Sequence, residues 1–262
     1  MHTLRRWCRA AVLALVPTLA LAADKPDCSR PFTLGLHEHG LLYSSQTGEG
    51  IDKDLADELA RRSGCRISFA LMPRARIWQL IESGALDFSL SGISNEARER
   101  FAAFAWTSSN RYYLLVRNDA GVQKVADFEA NPALRLGAIR SFRYSASANR
   151  LVDQLDAQRR VDHASSLEPL YAVLLDKRVQ AMIIEPFDYP TLESAKIRAQ
   201  TQIVEFDDPP VPHGLIMSRK ALPADQLAAW RALVDEMRAD GTVLRIFEKY
   251  FKPELARTMT RS

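Results

Sequence analysis

Phe32-Thr33-Leu34-Gly35-Leu36 opens the stretch whose reading decides the fold, which runs to Leu90. This first segment is short, apolar and of strand character. From Ile51 to Arg62 the apolar residues Ile51, Leu55, Ala56 and Leu59 fall on one helical stripe, and Gly64 ends it. Cys65 to Leu71 alternates as a strand does. Ile77, Leu80 and Ile81 share a helix face that stops at Gly84, and Leu86-Asp87-Phe88-Ser89-Leu90 is again a strand. The order β-α-β-α-β calls for an α/β sheet with parallel neighbours and helices on its faces.

Towards the C-terminus the pattern repeats. Ala133 to Ile139 is a predicted strand, and Leu151 and Leu155 mark a helix. Ser165 with Glu168 three residues on is a capping box, opening a helix through Leu170, Val173, Leu174 and Leu175. Gln180 to Ile184 has the composition of a buried strand. Extended segments around Tyr112–Asn118 and Asp207–Ile216 join the two units, and Pro209, Pro210 and Pro212 forbid helix in the second. The last part is helical. Pro223 suits a first helical position, Leu227, Trp230, Val234 and Met237 form a stripe, and Leu244, Phe247 and Phe251 continue beyond Gly241.

At the other end, Arg5, Arg6 and Arg9 precede an apolar run from Ala10 to Leu21 that closes on Ala20-Leu21-Ala22. A basic head, a short greasy core and a small-x-small site make a secretory signal over residues 1–22, with export to the periplasm. The run is too short for a membrane helix. The whole chain has 262 residues, 35 Lys+Arg and 32 Asp+Glu. The signal takes three arginines and no acid, so the remaining 240 residues carry 32 of each. The basic balance therefore belongs to the signal and gives no support to nucleic-acid binding. Cys8 leaves with the signal. The remaining pair, Cys28 and Cys65, is read as a disulfide in an oxidising compartment.

Five short motifs then fall in order. They are Gly50-Ile51-Asp52-Lys53-Asp54-Leu55-Ala56; Ser83-Gly84-Ala85-Leu86-Asp87; Glu96-Ala97-Arg98 with Phe104 six residues after the arginine; Arg178-Val179-Gln180-Ala181 with Glu185; and Ala239-Asp240-Gly241-Thr242 followed by Ile246-Phe247-Glu248-Lys249-Tyr250-Phe251. Together they resemble the bacterial extracellular solute-binding proteins of family 3, the amino-acid receptors of ABC transporters. The resemblance implies an α/β, two-lobed periplasmic-binding-protein fold of type II, each lobe a mostly parallel sheet flanked by helices. Lobe 1 is expected over residues 23–116 plus 213–262 and lobe 2 over 117–212. It also implies a monomer without a cofactor, a small-molecule ligand in the cleft, and delivery to an ABC permease.

A zwitterionic ligand needs a bidentate cation for its carboxylate and an acceptor for its ammonium. The resemblance assigns the first role to Arg98 and the second to Glu185, where relatives carry aspartate. It also brings Gly92 and Ser94 to the carboxylate, Tyr43 to the cleft as its aromatic, and Ser141 to an anion loop with Arg140 beside it. The arginine-rich stretch Met72–Trp78 replaces an aromatic wall of relatives, with Arg76 in it. His37 and His39 share a strand face without a third residue of metal-ligand spacing. No phosphate loop or nucleophile elbow is present. Passive binding is the leading expectation. Two alternatives stand beside it: an enzyme like the cyclohexadienyl (arogenate/prephenate) dehydratases, with Glu185 as general acid, and the ligand-sensing part of a membrane receptor.

Overall fold

The computed structural model describes residues 25–261; the segment read as a signal, residues 1–22, lies outside them. The strands are β1 (Phe32–Leu36), β2 (Ile67–Leu71), β3 (Phe88–Gly92), β4 (Ala102–Asn110), β5 (Tyr113–Arg117), β6 (Leu136–Ile139), β7 (Val161–Ala164), β8 (Ala181–Ile184), β9 (Thr201–Glu205) and β10 (Val211–Ser218). The helices are α1 (Ile51–Ser63), α2 (Arg74–Ser83), α3 (Glu96–Glu99), α4 (Val125–Ala130), α5 (Ala146–Ala157), α6 (Leu167–Leu175), α7 (Tyr189–Ser194), α8 (Ala224–Ala239), α9 (Thr242–Glu248) and α10 (Pro253–Thr260). Among the described residues no helix is long and apolar enough to cross a membrane.

The strands form two sheets, ordered β2-β1-β3-β10-β4 and β7-β6-β8-β5-β9. In the first, β1 pairs parallel with β2 and β3, and β10 runs antiparallel between β3 and β4. Four of its five strands therefore point one way. The second repeats the plan, with β5 as the reversed strand between β8 and β9. The chain changes sheets at Arg111–Tyr112 and again over residues 206–210. This corrects the expected lobe boundaries. Tyr113–Val116, expected in lobe 1, pair with β8 and β9, and Val211–Pro212, expected in lobe 2, pair with β4. Both crossings are shorter than an extended-segment reading suggests, because strand pairing claims their flanks.

Each sheet is covered on both faces. In the first lobe Trp230 of α8 wedges between Phe32 and Phe88, with ring centroids 5.3 and 4.8 Å away, and is fully buried. Ile77, Ile81 and Ile216 fill the opposite face. In the second lobe α5 covers one face through Leu151 and Leu155, and α6 covers the other through Leu170 and Leu174. Cys28 and Cys65 are joined in a disulfide with their Cα atoms 4.9 Å apart, because the parallel register of β1 and β2 brings the chain just before each strand side by side. The expected capping box does not form. Ser166, one residue later than read, is the N-cap of α6, which puts Pro169 rather than Glu168 at the third helical position.

Candidate functional site

The carboxyl ends of β1, β2 and β3 face those of β6 and β8, which is where parallel sheets leave room for ligands. His37 and His39 leave the end of β1, Arg74 opens α2 after β2, and Gly92 ends β3. From the second lobe come Phe142, after β6, and Glu185, after β8.

Arg98 is 8% exposed and lies flat over Trp78, its guanidinium carbon 3.8 Å from the ring centroid. It donates Nη1 to the Ile93 carbonyl at 3.0 Å in its own lobe and Nη2 to the Ser141 carbonyl at 3.0 Å in the other. Burial pulls its pKa down to about 9, and Arg74 and Arg143 add to the pull. The Asn95 side chain caps the short α3 by accepting from the Arg98 backbone N–H at 2.9 Å, which fixes where the guanidinium starts. Arg98 lines a cavity of about 10 Å³ together with Arg74, Trp78, Gly92, Tyr112 and Phe142. That is room for about one water, so a ligand enters only if the lobes or Phe142 move.

Glu185 is 3% exposed and already bonded on both oxygens. His39 Nε2 donates to Oε1 at 2.9 Å, and Asn110 Nδ2 donates to Oε2 at 2.8 Å. His213 Nε2 stands 3.7 Å from Oε2. Burial raises the carboxyl, but His39, His213 and Asn110 outweigh it and hold the pKa below the usual value. Burial lowers the His39 pKa, but Asp188 and Glu185 outweigh it and raise the ring above its usual value, which suits an ion pair. Asp188, buried behind this pair, is pushed up to about 7 by burial and by Glu185. Glu185 thus fastens the second lobe to the first. The Pro186–Asp188 turn that follows reinforces this: Phe187 is fully buried in the first lobe's core, and its carbonyl accepts from Leu41 N at 2.9 Å. Gly40 lets that turn approach, since a Cβ there would stand 2.2 Å from the Phe187 oxygen.

The other sequence candidates separate. Gly92 lines the cavity with Arg98, and a Cβ on it would strike Ile216 at 2.2 Å. Ser141 reaches Arg98 through its carbonyl; its side chain is exposed. Ser94 is half-buried beside the site without lining the cavity. Tyr43 packs on the first lobe's core, and its carbonyl accepts from the His39 backbone N–H at 3.1 Å. Arg140 is exposed and borders a separate surface hollow with Asp162 and His163. Arg76 is exposed on the outer side of α2, bonded to Gln79. The arginine of that helix that faces inward is Arg74. Sequence reasoning missed it along with Trp78, Tyr112 and Phe142, although Arg74 lies three residues before Ile77 and seven before Ile81, on their face. Among the described residues no group of three or more His, Cys, Asp or Glu has the arrangement of a metal site. The rings of His37 and His39 lie 5.4 Å apart and engage Arg74 and Glu185 respectively.

Residues 38–253 match the model of the bacterial extracellular solute-binding proteins, family 3. The chain belongs to this family. A comparison with curated proteins gave no match. Similar solved structures share the family's fold at low identity. An ancestral arginine-binding protein bound to arginine is 19% identical with a TM-score of 0.71, covering 86% of this chain and 100% of that one. The arginine-, lysine-, histidine-binding protein ArtJ from Geobacillus stearothermophilus is 16% identical with a TM-score of 0.71, covering 87% and 100%. A histidine kinase sensor domain with similarity to periplasmic binding proteins is 14% identical with a TM-score of 0.71, covering 85% and 96%.

Proposed function

We propose that this chain is a periplasmic solute-binding protein that captures a small polar solute by its carboxylate, closes two lobes over it and presents it to an ABC permease. The observation that carries the reading is Arg98. Its guanidinium is buried in the cleft and stacked on Trp78, and it is bonded only to neutral carbonyls, one on each lobe. A ligand carboxylate that replaces the Ser141 carbonyl gains a charge-assisted bidentate partner. The arginine- and histidine-binding names among similar structures support an amino acid or a derivative as the solute.

Glu185 does not have the surroundings of a general acid. Two donors hold it and its pKa lies below the usual value, so it stays ionised at neutral pH. This argues against the dehydratase-like alternative and for a structural pairing.

Calorimetric titration with amino acids and other small carboxylates tests the reading. Arg98→Ala is expected to weaken binding about 30-fold to several-thousand-fold, the usual loss when a buried charge partner is removed. Arg98→Lys should also bind poorly, because an ammonium lacks the guanidinium fork. Arg100→Ala should bind as wild type, since Arg100 is exposed and pairs with Glu96 at 3.1 Å. Wild-type affinity in Arg98→Ala would sink the proposal.

A further inference from the structure

A second guanidinium lies in the same cleft. Arg74 is 4% exposed, and like Arg98 it has no carboxylate within ion-pair distance among the described residues. It donates Nη1 to the Leu90 carbonyl at 3.0 Å and, at the limit of bonding, to Ser89 Oγ at 3.5 Å. Its Nη2 donates to His37 Nε2 at 2.9 Å. All three acceptors are neutral. A buried cation without a bonded counter-charge is costly, and where the buried Arg160 answers that cost with five neutral acceptors, Arg74 has three and borders open space. Asp52 and Glu185 are near enough to steady Arg74 through space, but burial still draws its pKa to about 10.

Three further features point the same way. Arg74 is the first residue of α2, whose first turn holds no acid and whose N-cap is proline, so the positive end of the helix adds to its field. Because Arg74 occupies His37 Nε2, the ring proton sits on Nδ1, and that N–H is buried without a partner. His37 and Arg74 both line a second cavity of about 260 Å³, separated from the Arg98 cavity by Phe142. Its walls are apolar at Leu71, Met72 and Ile139, and its one acid, Glu38, is engaged by the Ser45 backbone N–H at 3.1 Å. A ligand's body fits there once Phe142 turns aside, with an acid group at each end.

We propose that Arg74 is a second anion anchor and that the cleft selects solutes bearing two acid groups, one held by Arg98 and the other by Arg74 with His37 beside it. This rests on the carboxylate reading of Arg98 and narrows it to diacids, acidic amino acids included.

The test is titration of the full mature protein with matched pairs that differ by one acid group: glutarate against butyrate, L-glutamate against L-glutamine, and phenylsuccinate against 3-phenylpropionate. In at least one pair the diacid should bind about 10- to 100-fold more tightly, the usual worth of an added hydrogen bond to a charged group. Arg74→Gln should erase that ratio by weakening the diacid far more than the monoacid, while Arg74→Lys, which keeps the charge, should retain part of it. Equal binding within every pair overturns the second anchor and leaves the Arg98 reading standing. A diacid preference that survives Arg74→Gln also overturns it. Arg74 as a mere structural pin would weaken diacid and monoacid alike in both variants. No binding of any of the six compounds removes the carboxylate reading and this inference together.

Discussion

Asp52 sits in the first turn of α1, almost wholly buried, and accepts from the Ser91 hydroxyl at 2.5 Å. Burial dominates its chemistry and lifts its pKa from 3.8 to about 6, against the pull of Ser91 and Arg74. A carboxyl whose folded pKa exceeds its unfolded one holds its proton more tightly in the native state. Its contribution to stability is therefore full below the unfolded value of 3.8 and is lost as pH rises through about 6. Asp52→Asn keeps a neutral acceptor for Ser91 and removes that loss. The variant should match wild type in urea melts near about pH 4 and exceed it near about pH 8, by about 1–3 kcal/mol at 1.36 kcal/mol per pKa unit. A constant offset between the two proteins across that range would show that Asp52 is not titrating in the fold. Arg74 and Arg76 teach a different lesson at this scale. Residues two apart on a helix point about 200° apart, so only one of these arginines can face the cleft. Ile77 and Ile81, already recognised as an inward stripe, were the signal that chose Arg74.

At the scale of elements, β2 is the edge of its sheet, and Phe69 and Leu71 on it are among the largest exposed apolar side chains. The Cys28–Cys65 disulfide ties the start of this edge to β1 and closes a loop of sequence separation 37. The chain-entropy model then gives about 3–4 kcal/mol of stabilisation. The Cys28→Ser/Cys65→Ser double variant is expected to lose that amount in a two-state denaturant melt, with ligand affinity unchanged because neither residue reaches the cleft. An undiminished midpoint would show that β1 and β2 hold the edge without the bond. The elements themselves were largely legible in the sequence. The β-α-β-α-β run from Phe32 to Leu90 and the strand at Gln180–Ile184 rest on apolar periodicity, which burial enforces. The reversed strands β5 and β10 were read as connectors because pairing antiparallel to non-adjacent strands leaves no local mark. Ser166 displaced Ser165 as the α6 cap for a related reason: neither makes a side-chain cap bond, so the choice fell to packing. Of the residues the sequence put forward, Arg98 and Gly92 come together on one cavity. The pairing of Glu185 was not legible, since its partners His39, Asn110 and His213 come from three distant segments.

For the whole molecule the decisive contacts lie between the lobes. Glu185 reaches across to His39 and Asn110, and Phe187 is set into the first lobe's core, 5.7 Å from the Phe251 ring. Breaking the buried pair takes from His39 the nearer of its two carboxylates and leaves Asp188 Oδ1 at 3.4 Å, a cost of up to about 3–5 kcal/mol. Truncating Phe187 costs a similar amount, about 3–5 kcal/mol. Glu185→Gln and Phe187→Ala are each expected to loosen the docking of the lobes and raise the radius of gyration measured by X-ray scattering. Scattering curves that superimpose on wild type would refute a fastening role for this junction. The sheet orders carry one more implication. The second sheet is made from a single unbroken span, from β5 to β9, whereas the first needs β10 inserted between β3 and β4. A chain that emerges N-terminus first has released β1 to β4 before β10 exists, so β3, paired only with β1, keeps one edge open and β4 waits without a partner strand while some hundred residues pass. The inner unit can finish first, and the outer one closes around it only when the C-terminal helices arrive. Maturation is therefore ordered from the middle of the chain outward, and the waiting edges of β3 and β4 are where a chaperone has most to protect.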